Sequence, residues 1–273
     1  MSLPGPAPDA AVLVTGASSG IGAELARQLA AIGHGLILVA RRPEPLEAIA
    51  AELRAAHGVE ALVIPADLAK VTHRRRLVQA VEASDRFVAG LCNSAGFGSY
   101  GRIVELDPAR EAEMVQLNVA AVHELTLAFV RPMVERRAGA ILNVASLAAF
   151  QPVPSMATYA ATKAFVQSFS EALHAELGGT GVSCTVLAPG PVPTEFGERA
   201  GTTDAESLVP GFVTVEAEEV AAAAIRGMLR GRRSVVPGMA TKALATGGRY
   251  VPRTVLLEAA RRARQGRGGE PRS

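Results

Sequence analysis

The sequence contains no tryptophan, and its few phenylalanines and tyrosines make an aromatic share of only 4%. Proteins that bind single-stranded nucleic acid stack bases on aromatic side chains, so this scarcity argues against such a role. Strong net charge is missing too: 28 Lys and Arg against 26 Asp and Glu leave +2, too little to steer the whole chain toward a polyanion or a membrane. Cysteine occurs twice, as Cys92 and Cys184 in apolar runs, which reads as two small buried hydrophobes in a reducing compartment. The five histidines, at 34, 57, 73, 123 and 174, stand singly, so no metal site is expected. No run approaches the roughly 18 apolar residues of a membrane-spanning helix. Residues 1–9 are Pro-rich, where a secretion leader would carry a basic and then an apolar stretch. The expected address is the cytoplasm.

What is plentiful is aliphatic. Hydrophobic residues make up 49% of the 273, ample for one large core. Residues 11–15 (AVLVT) form a short apolar run ending in Gly-Ala-Ser-Ser-Gly, the pattern of a buried parallel strand entering a turn. Ile21, Leu25, Leu29 and Ile32 then recur at helical spacing up to Gly33, a C-cap residue. Further apolar runs at 36–39, 61–64, 88–92, 140–144, 183–187 and 234–236 alternate with helical segments around 44–56, 72–83, 108–136, 156–177 and 216–230. Such alternation predicts an α/β fold, a single Rossmann-type doubly wound parallel sheet of about seven strands with helices on both faces. The domain should span 10–248, preceded by a flexible N-terminus at 1–9 and followed by a basic helix and tail at 249–273. Residues 189–210, rich in Gly, Pro and Thr, read as a lid over a site or as a disordered insertion.

Between the first strand and helix stands T-G-A-S-S-G-I-G, residues 15–22. Glycines permit close backbone approach, and a helix N-terminus offers amides and partial positive charge to a pyrophosphate. Gly16, Ser18, Ser19, Gly20, Ile21 and Gly22 are thus candidate phosphate contacts, although a purely structural tight turn explains the same glycines. Arg41 and Arg42 follow the second strand, where an acidic residue selects NAD and a cation accommodates the 2′-phosphate of NADP. They favour NADP(H) over NAD(H), unless they are simply a solvated surface pair. Tyr159 and Lys163 lie four apart on one helix face, and a neighbouring ammonium is expected to lower the phenol pKa. Ser146 closes the fifth strand, at the sheet edge where parallel sheets place ligands.

Taken together, TGASSGIG at 15–22, Asp67, NSAG at 93–96, Asn118, Ser146, YAATK at 159–163 and PGPVPT at 189–194 resemble, in order and spacing, the classical short-chain dehydrogenase/reductase family over about residues 9–236. Ser94 is a mild departure, standing where a second Asn is commonest. The resemblance implies that Tyr159 is the general acid in carbonyl reduction, that Lys163 lowers its pKa and holds the nicotinamide ribose, and that Ser146 hydrogen-bonds the substrate oxygen. It implies a proton relay from Asn118 through water to Lys163. Asp67 and Leu68 would contact adenine, Asn93, Ala95 and Gly96 would line the cofactor floor, and Pro189, Gly190, Val192 and Thr194 would seat the carboxamide end. Taken alone, Asn118 reads equally as a solvent-facing helix residue and Asp67 as a turn or capping residue.

The reading is an NADP(H)-dependent oxidoreductase reducing a ketone or aldehyde. Its alternatives are a non-catalytic NADP(H)-binding regulator or scaffold and an NAD-dependent alcohol dehydrogenase. By analogy with the family it resembles, Phe97, Leu147, Ala148, Phe150, Val153, Val192 and Phe196 are expected in the substrate pocket, which suits a small apolar carbonyl or alcohol compound. The resemblance also implies a homodimer or homotetramer built on the helices holding Asn118 and Tyr159. The tail, with seven Arg against two Glu, places Val251, Val255, Leu256 and Ala259 on one helical stripe. That stripe is expected to pack on the body or a partner subunit; membrane contact is the disfavoured alternative.

Overall fold

The computed structural model describes residues 3–193 and 214–258. Seven parallel strands form one sheet in the order β3-β2-β1-β4-β5-β6-β7. They are β1 (Ala10–Thr15), β2 (Gly35–Ala40), β3 (Ala61–Pro65), β4 (Phe87–Asn93), β5 (Gly139–Val144), β6 (Val182–Leu187) and β7 (Ser234–Val235). Helices α1 (Gly20–Ala31), α2 (Pro43–His57) and α7 (Ala217–Leu229) cover one face; α3 (Val71–Glu82), α5 (Val122–Arg136) and α6 (Ala157–Glu176) cover the other.

Two-sided cover explains the uninterrupted apolar strands. Val12 and Val14 pack toward Leu25, Leu29 and Leu53, while Ala11 and Leu13, pointing the opposite way, pack toward Leu77, Leu125 and Met133. Each fully buried leucine stabilises such a core by about 1.5 to 3 kcal/mol. The chain winds outward from β1 through β2 to β3, then returns to place β4 on the opposite side of β1. Above the C-terminal ends of β1 and β4 the connections therefore diverge, leaving the crevice in which open α/β sheets bind ligands.

Three sequence expectations change. The N-terminal stretch is anchored at Leu3, which is 4% exposed in the core and whose N–H donates to Met228 O at 3.3 Å. The helix expected over 108–136 is built in three parts: α4 (Pro108–Val115), a π-helical turn (Gln116–Ala121) and α5. A helix that was not expected, α8 (Met239–Tyr250), precedes the C-terminal one and buries Thr241 and Ala245. Pro252, with no N–H to continue a ladder, separates it from helical residues 253–258. Val251 and Val255 are 37% and 56% exposed while Leu256 is half-buried, so the described part of the stripe is only partly covered by its own chain. Ala259 and the rest of the tail lie outside the described residues. Among the described residues no helix is long and apolar enough to cross a membrane.

Candidate active site

The crevice is a cavity of about 890 Å³. Its first wall is the β1–α1 turn. Gly16 has φ +68°, and a Cβ there would lie 2.9 Å from the Ala95 backbone; one on Gly22 would collide with Gly16 O. Both glycines are needed to fold the loop this tightly. Helix α1 begins at Ser19, whose side chain makes no cap bond, and its first turn holds no acidic residue. The opening amides thus have no intrahelical acceptor and face the cavity with the positive end of the helix dipole. This donor set fits a pyrophosphate.

Arg41 and Arg42 line the same cavity at the end of β2. Arg41 Nη1 also stands 3.4 Å from Glu113 Oε1 of α4, in an exposed and therefore weak pair. Leu68, Ala95, Gly96, Pro189, Gly190 and Val192 border the cavity as expected, together with the loop residues Gly16, Ser18, Ser19, Gly20, Ile21 and Gly22.

Asn93 is a correction, since its side chain turns into the core; Asp67 is not among the residues lining the cavity, although its neighbours Ala66 and Leu68 are. Asp67 Oδ1 accepts the Ala69 N–H at 3.2 Å and its carboxylate pairs with Lys70 at 3.4 Å, so it shapes the turn before α3. The Asn93 amide, 2% exposed, points into the core and donates to Asn143 Oδ1 at 2.9 Å and Thr126 Oγ1 at 3.2 Å. Asn143 continues to Ser170 Oγ at 2.9 Å. This satisfied polar network ties β4, β5, α5 and α6 together beneath the site. The floor is shaped by Thr15 instead, whose Oγ1 accepts the N–H groups of Ser94 and Ala95 at 3.0 and 3.1 Å. Thr194 lies outside the described residues, as does Phe196.

At the inner end Ser146, Tyr159 and Lys163 converge. Ser146 caps a short 3₁₀ turn (Leu147–Phe150), with Oγ accepting the Ala148 N–H at 3.2 Å. Tyr159, 8% exposed, is packed by Phe97 and Met114 and hydrogen-bonded to Ser146. Burial pushes the phenol up to about 12, and the Ser146 bond only partly opposes this. That reverses the expected lowering by Lys163. The lysine, 6% exposed, is itself pulled down by burial to about 8; its Nζ donates to Val144 O at 2.9 Å and sits 5.8 Å from the Tyr159 ring centre.

Asn118 is fully buried in the π-helical turn and is not solvent-facing. Its amide exchanges two hydrogen bonds with the Phe97 backbone, at 3.2 and 2.9 Å, and donates to Thr162 Oγ1 at 3.1 Å. A Cβ on Gly96 would stand 3.0 Å from Asn118 Oδ1 and 3.4 Å from Lys163 Nζ. A side chain on Gly96 would thus crowd Asn118 and Lys163, so glycine lets this loop lie close to both.

Of the expected substrate-pocket residues, Phe97, Leu147, Ala148, Val153 and Val192 line the cavity, whereas Phe150 does not. The sequence reading missed Met156, Gln151 and Arg110, the last with its guanidinium 5.0 Å over the Phe97 ring. Helix α8 also packs against the 3₁₀ turn, adding support to that wall. Among the described residues no group of three metal-ligating side chains occurs.

Fold and site define a dinucleotide-binding α/β oxidoreductase scaffold with a Ser-Tyr-Lys cluster. The family model for short chain dehydrogenases matches residues 10–205. The chain belongs to that family, whose members are oxidoreductases of CH–OH and C=O groups. It is 35% identical over 187 residues to a short chain dehydrogenase of Pseudocercospora fijiensis, a match covering 68% of this chain but only 60% of that protein. A short-chain dehydrogenase from Sphingobium yanoikuyae, solved in complex with NADPH, superposes with TM-score 0.78 at 32% identity, covering 97% of each chain. The bulky-bulky ketone specific alcohol dehydrogenase from Comamonas testosteroni gives TM-score 0.74 at 29% identity, covering 97% of this chain and 95% of its own.

Proposed function

We propose that this protein is an NADP(H)-dependent reductase converting a ketone or aldehyde to an alcohol, with Tyr159 as the proton donor. The observation carrying this reading is the Ser146–Tyr159 pair at the inner end of the cavity, with the phenol held protonated by burial. A donor must keep its proton until the substrate oxygen develops negative charge, and a phenol raised to about 12 does so throughout the neutral range. The nicotinamide, when bound, supplies the hydride that reaches the carbonyl carbon. Ser146 Oγ holds the carbonyl oxygen, and Tyr159 Oη delivers the proton to it. Lys163 binds the nicotinamide ribose and passes a proton, through water beside Asn118, back to Tyr159.

Arg41 and Arg42 select the 2′-phosphate, since a guanidinium fork matches phosphate and no acidic residue ends β2. The NADPH bound to the Sphingobium enzyme agrees with that choice. The wall formed by Phe97, Leu147, Val153 and Met156 favours an apolar carbonyl compound, in keeping with the bulky ketones named for the Comamonas enzyme. Helices α5 and α6 present His123, Phe165 and Phe169, the two phenylalanine rings 5.7 Å apart and stacked, with Leu127 53% exposed. This face would pair with a second copy of the chain. Cys92 and Cys184, both pushed up to about 12 by burial, are inert thiols suited to a reducing cytoplasm.

Tyr159→Phe tests the mechanism. It removes one hydroxyl, so kcat for ketone reduction should fall at least about a hundredfold while the NADPH dissociation constant stays within about twofold. Wild-type-like turnover by a folded variant would remove Tyr159 from the reaction. Tight NADPH binding without turnover of any carbonyl or alcohol by wild type would favour the non-catalytic alternative.

A further inference from the structure

Residues 74–76 read Arg-Arg-Arg, a charge run on an otherwise ordinary helix, yet the first of the three is only 2% exposed. Arg74 Nε and Nη2 grip the Glu124 carboxylate of α5 in a two-pronged pair at 2.7 and 2.9 Å, and hold that carboxyl below its ordinary pKa. Nη1 donates to Leu68 O at 2.8 Å, and Nη2 also reaches Gln116 Oε1 at 3.4 Å. Three separate segments meet on one guanidinium: the β3–α3 connection, the start of the π-helical turn, and α5.

Leu68 and Leu117 both line the cavity, and each adjoins a segment Arg74 holds. Leu68 follows β3, the strand beside β2 whose end carries Arg41 and Arg42, so its wall belongs to the half of the crevice away from Tyr159, while Leu117 stands across from it, packed against the cluster of Phe97, Met114 and Tyr159. The Glu124 side chain is 40% exposed, so water screens the pair and it contributes little to stability alone. A planar fork donating in three directions is, however, well suited to fixing three backbone segments in one arrangement.

We infer that Arg74 is a positioning residue for the adenosine half of the dinucleotide, setting the gap between the Leu68 and Leu117 walls from outside the cavity. The inference rests on the dinucleotide reading proposed above. Arg74→Lys keeps the charge but cannot reach all three partners, and Gln116→Leu removes only the exposed contact to the π-helical turn.

The probe is ADP-ribose, which carries the adenosine half without nicotinamide or 2′-phosphate, titrated by calorimetry into the full-length protein. Arg74→Lys should bind it about tenfold or more weakly and raise KM for NADPH similarly, with kcat within about twofold of wild type. Gln116→Leu should weaken ADP-ribose about threefold with an unchanged melting temperature. Unchanged ADP-ribose affinity in both variants, or a kcat that falls as far as affinity, would overturn the inference. Should Arg74→Lys fail to fold, Gln116→Leu alone decides, weaker binding supporting the inference and unchanged binding overturning it. Wild type that binds neither ADP-ribose nor NADPH would refute the dinucleotide reading and this inference with it; intact wild-type binding with indifferent variants would refute this inference alone.

Discussion

Lys163 offers a quantitative test of how the site is built. Its ammonium is 6% exposed, with Val144 O as acceptor at 2.9 Å, and burial lowers its pKa from 10.5 to about 8. Unfolding returns the group to water and to its ordinary value. Between pH 8 and 10.5 the unfolded chain therefore holds more protons than the folded one, so stability rises with pH across that window. Below pH 8 both states are charged and the full cost of the buried ammonium is present. For folded and unfolded values of about 8 and 10.5, linkage predicts a gain of about 2 kcal/mol between about pH 7.5 and 9.5 from this group alone. Tyr159 acts oppositely, because its folded value of about 12 exceeds its ordinary 10, so its contribution declines only above pH 10, outside this range. Urea denaturation of wild type and Lys163→Met at both pH values, without cofactor and at one protein concentration, isolates the term. Wild type should gain about 2 kcal/mol relative to the variant as pH rises. A difference independent of pH, or one that shrinks wild type's stability, would refute a buried, proton-releasing lysine.

Replacing Arg41 and Arg42 together by neutral residues should weaken NADPH more than NADH, by about 1 to 3 kcal/mol in calorimetry; equal binding of the two cofactors by wild type would contradict the assignment. Gly22→Ala should cost about 1 to 3 kcal/mol in denaturation and at least about tenfold in NADPH affinity, because the added methyl group would meet Gly16 O in the phosphate loop. A chain ending at Gly238 loses α8 and its support for the 3₁₀ turn, so KM for the carbonyl substrate should rise with NADPH affinity unchanged. A chain ending at Val251 should match wild type in both measurements and in melting temperature, since Val255, just beyond it, is 56% exposed.

The strands were legible because burial on both faces leaves no polar alternative along them. All seven apolar runs lie in the sheet, and the phosphate loop sits in the strand-turn-helix context that its glycines require. The helix over 108–136 was legible in extent but not in form. A 3.6-residue pattern cannot reveal a π-helical turn, which depends on where the Asn118 amide finds the Phe97 backbone and Thr162. The tail helix was legible in place over 253–258 but not in its packing, because an amphipathic stripe states which side chains share a face, not whether a surface exists to receive them. Thr241 and Ala245, small and unremarkable in sequence, make the buried contact instead.

Asn93 shows the same limit beside the site. A polar residue closing an apolar strand points toward a ligand or toward a buried network, and sequence alone does not separate the two. Asn93 is in register with Asn143 across β4 and β5, so two polar residues at matching strand ends were the available signal that these amides serve each other. Spacing likewise placed Tyr159 and Lys163 side by side without fixing the sign of their effects. Adjacency favours a lowered phenol, but a side chain 8% exposed among Phe97 and Met114 loses more from desolvation than the Ser146 hydrogen bond returns. The two groups are pushed in opposite directions by the same cause, since burial disfavours the charged form of each. At neutral pH this leaves a protonated phenol beside a lysine that exchanges its proton readily, and a donor next to its own source of protons is the arrangement that carbonyl reduction requires.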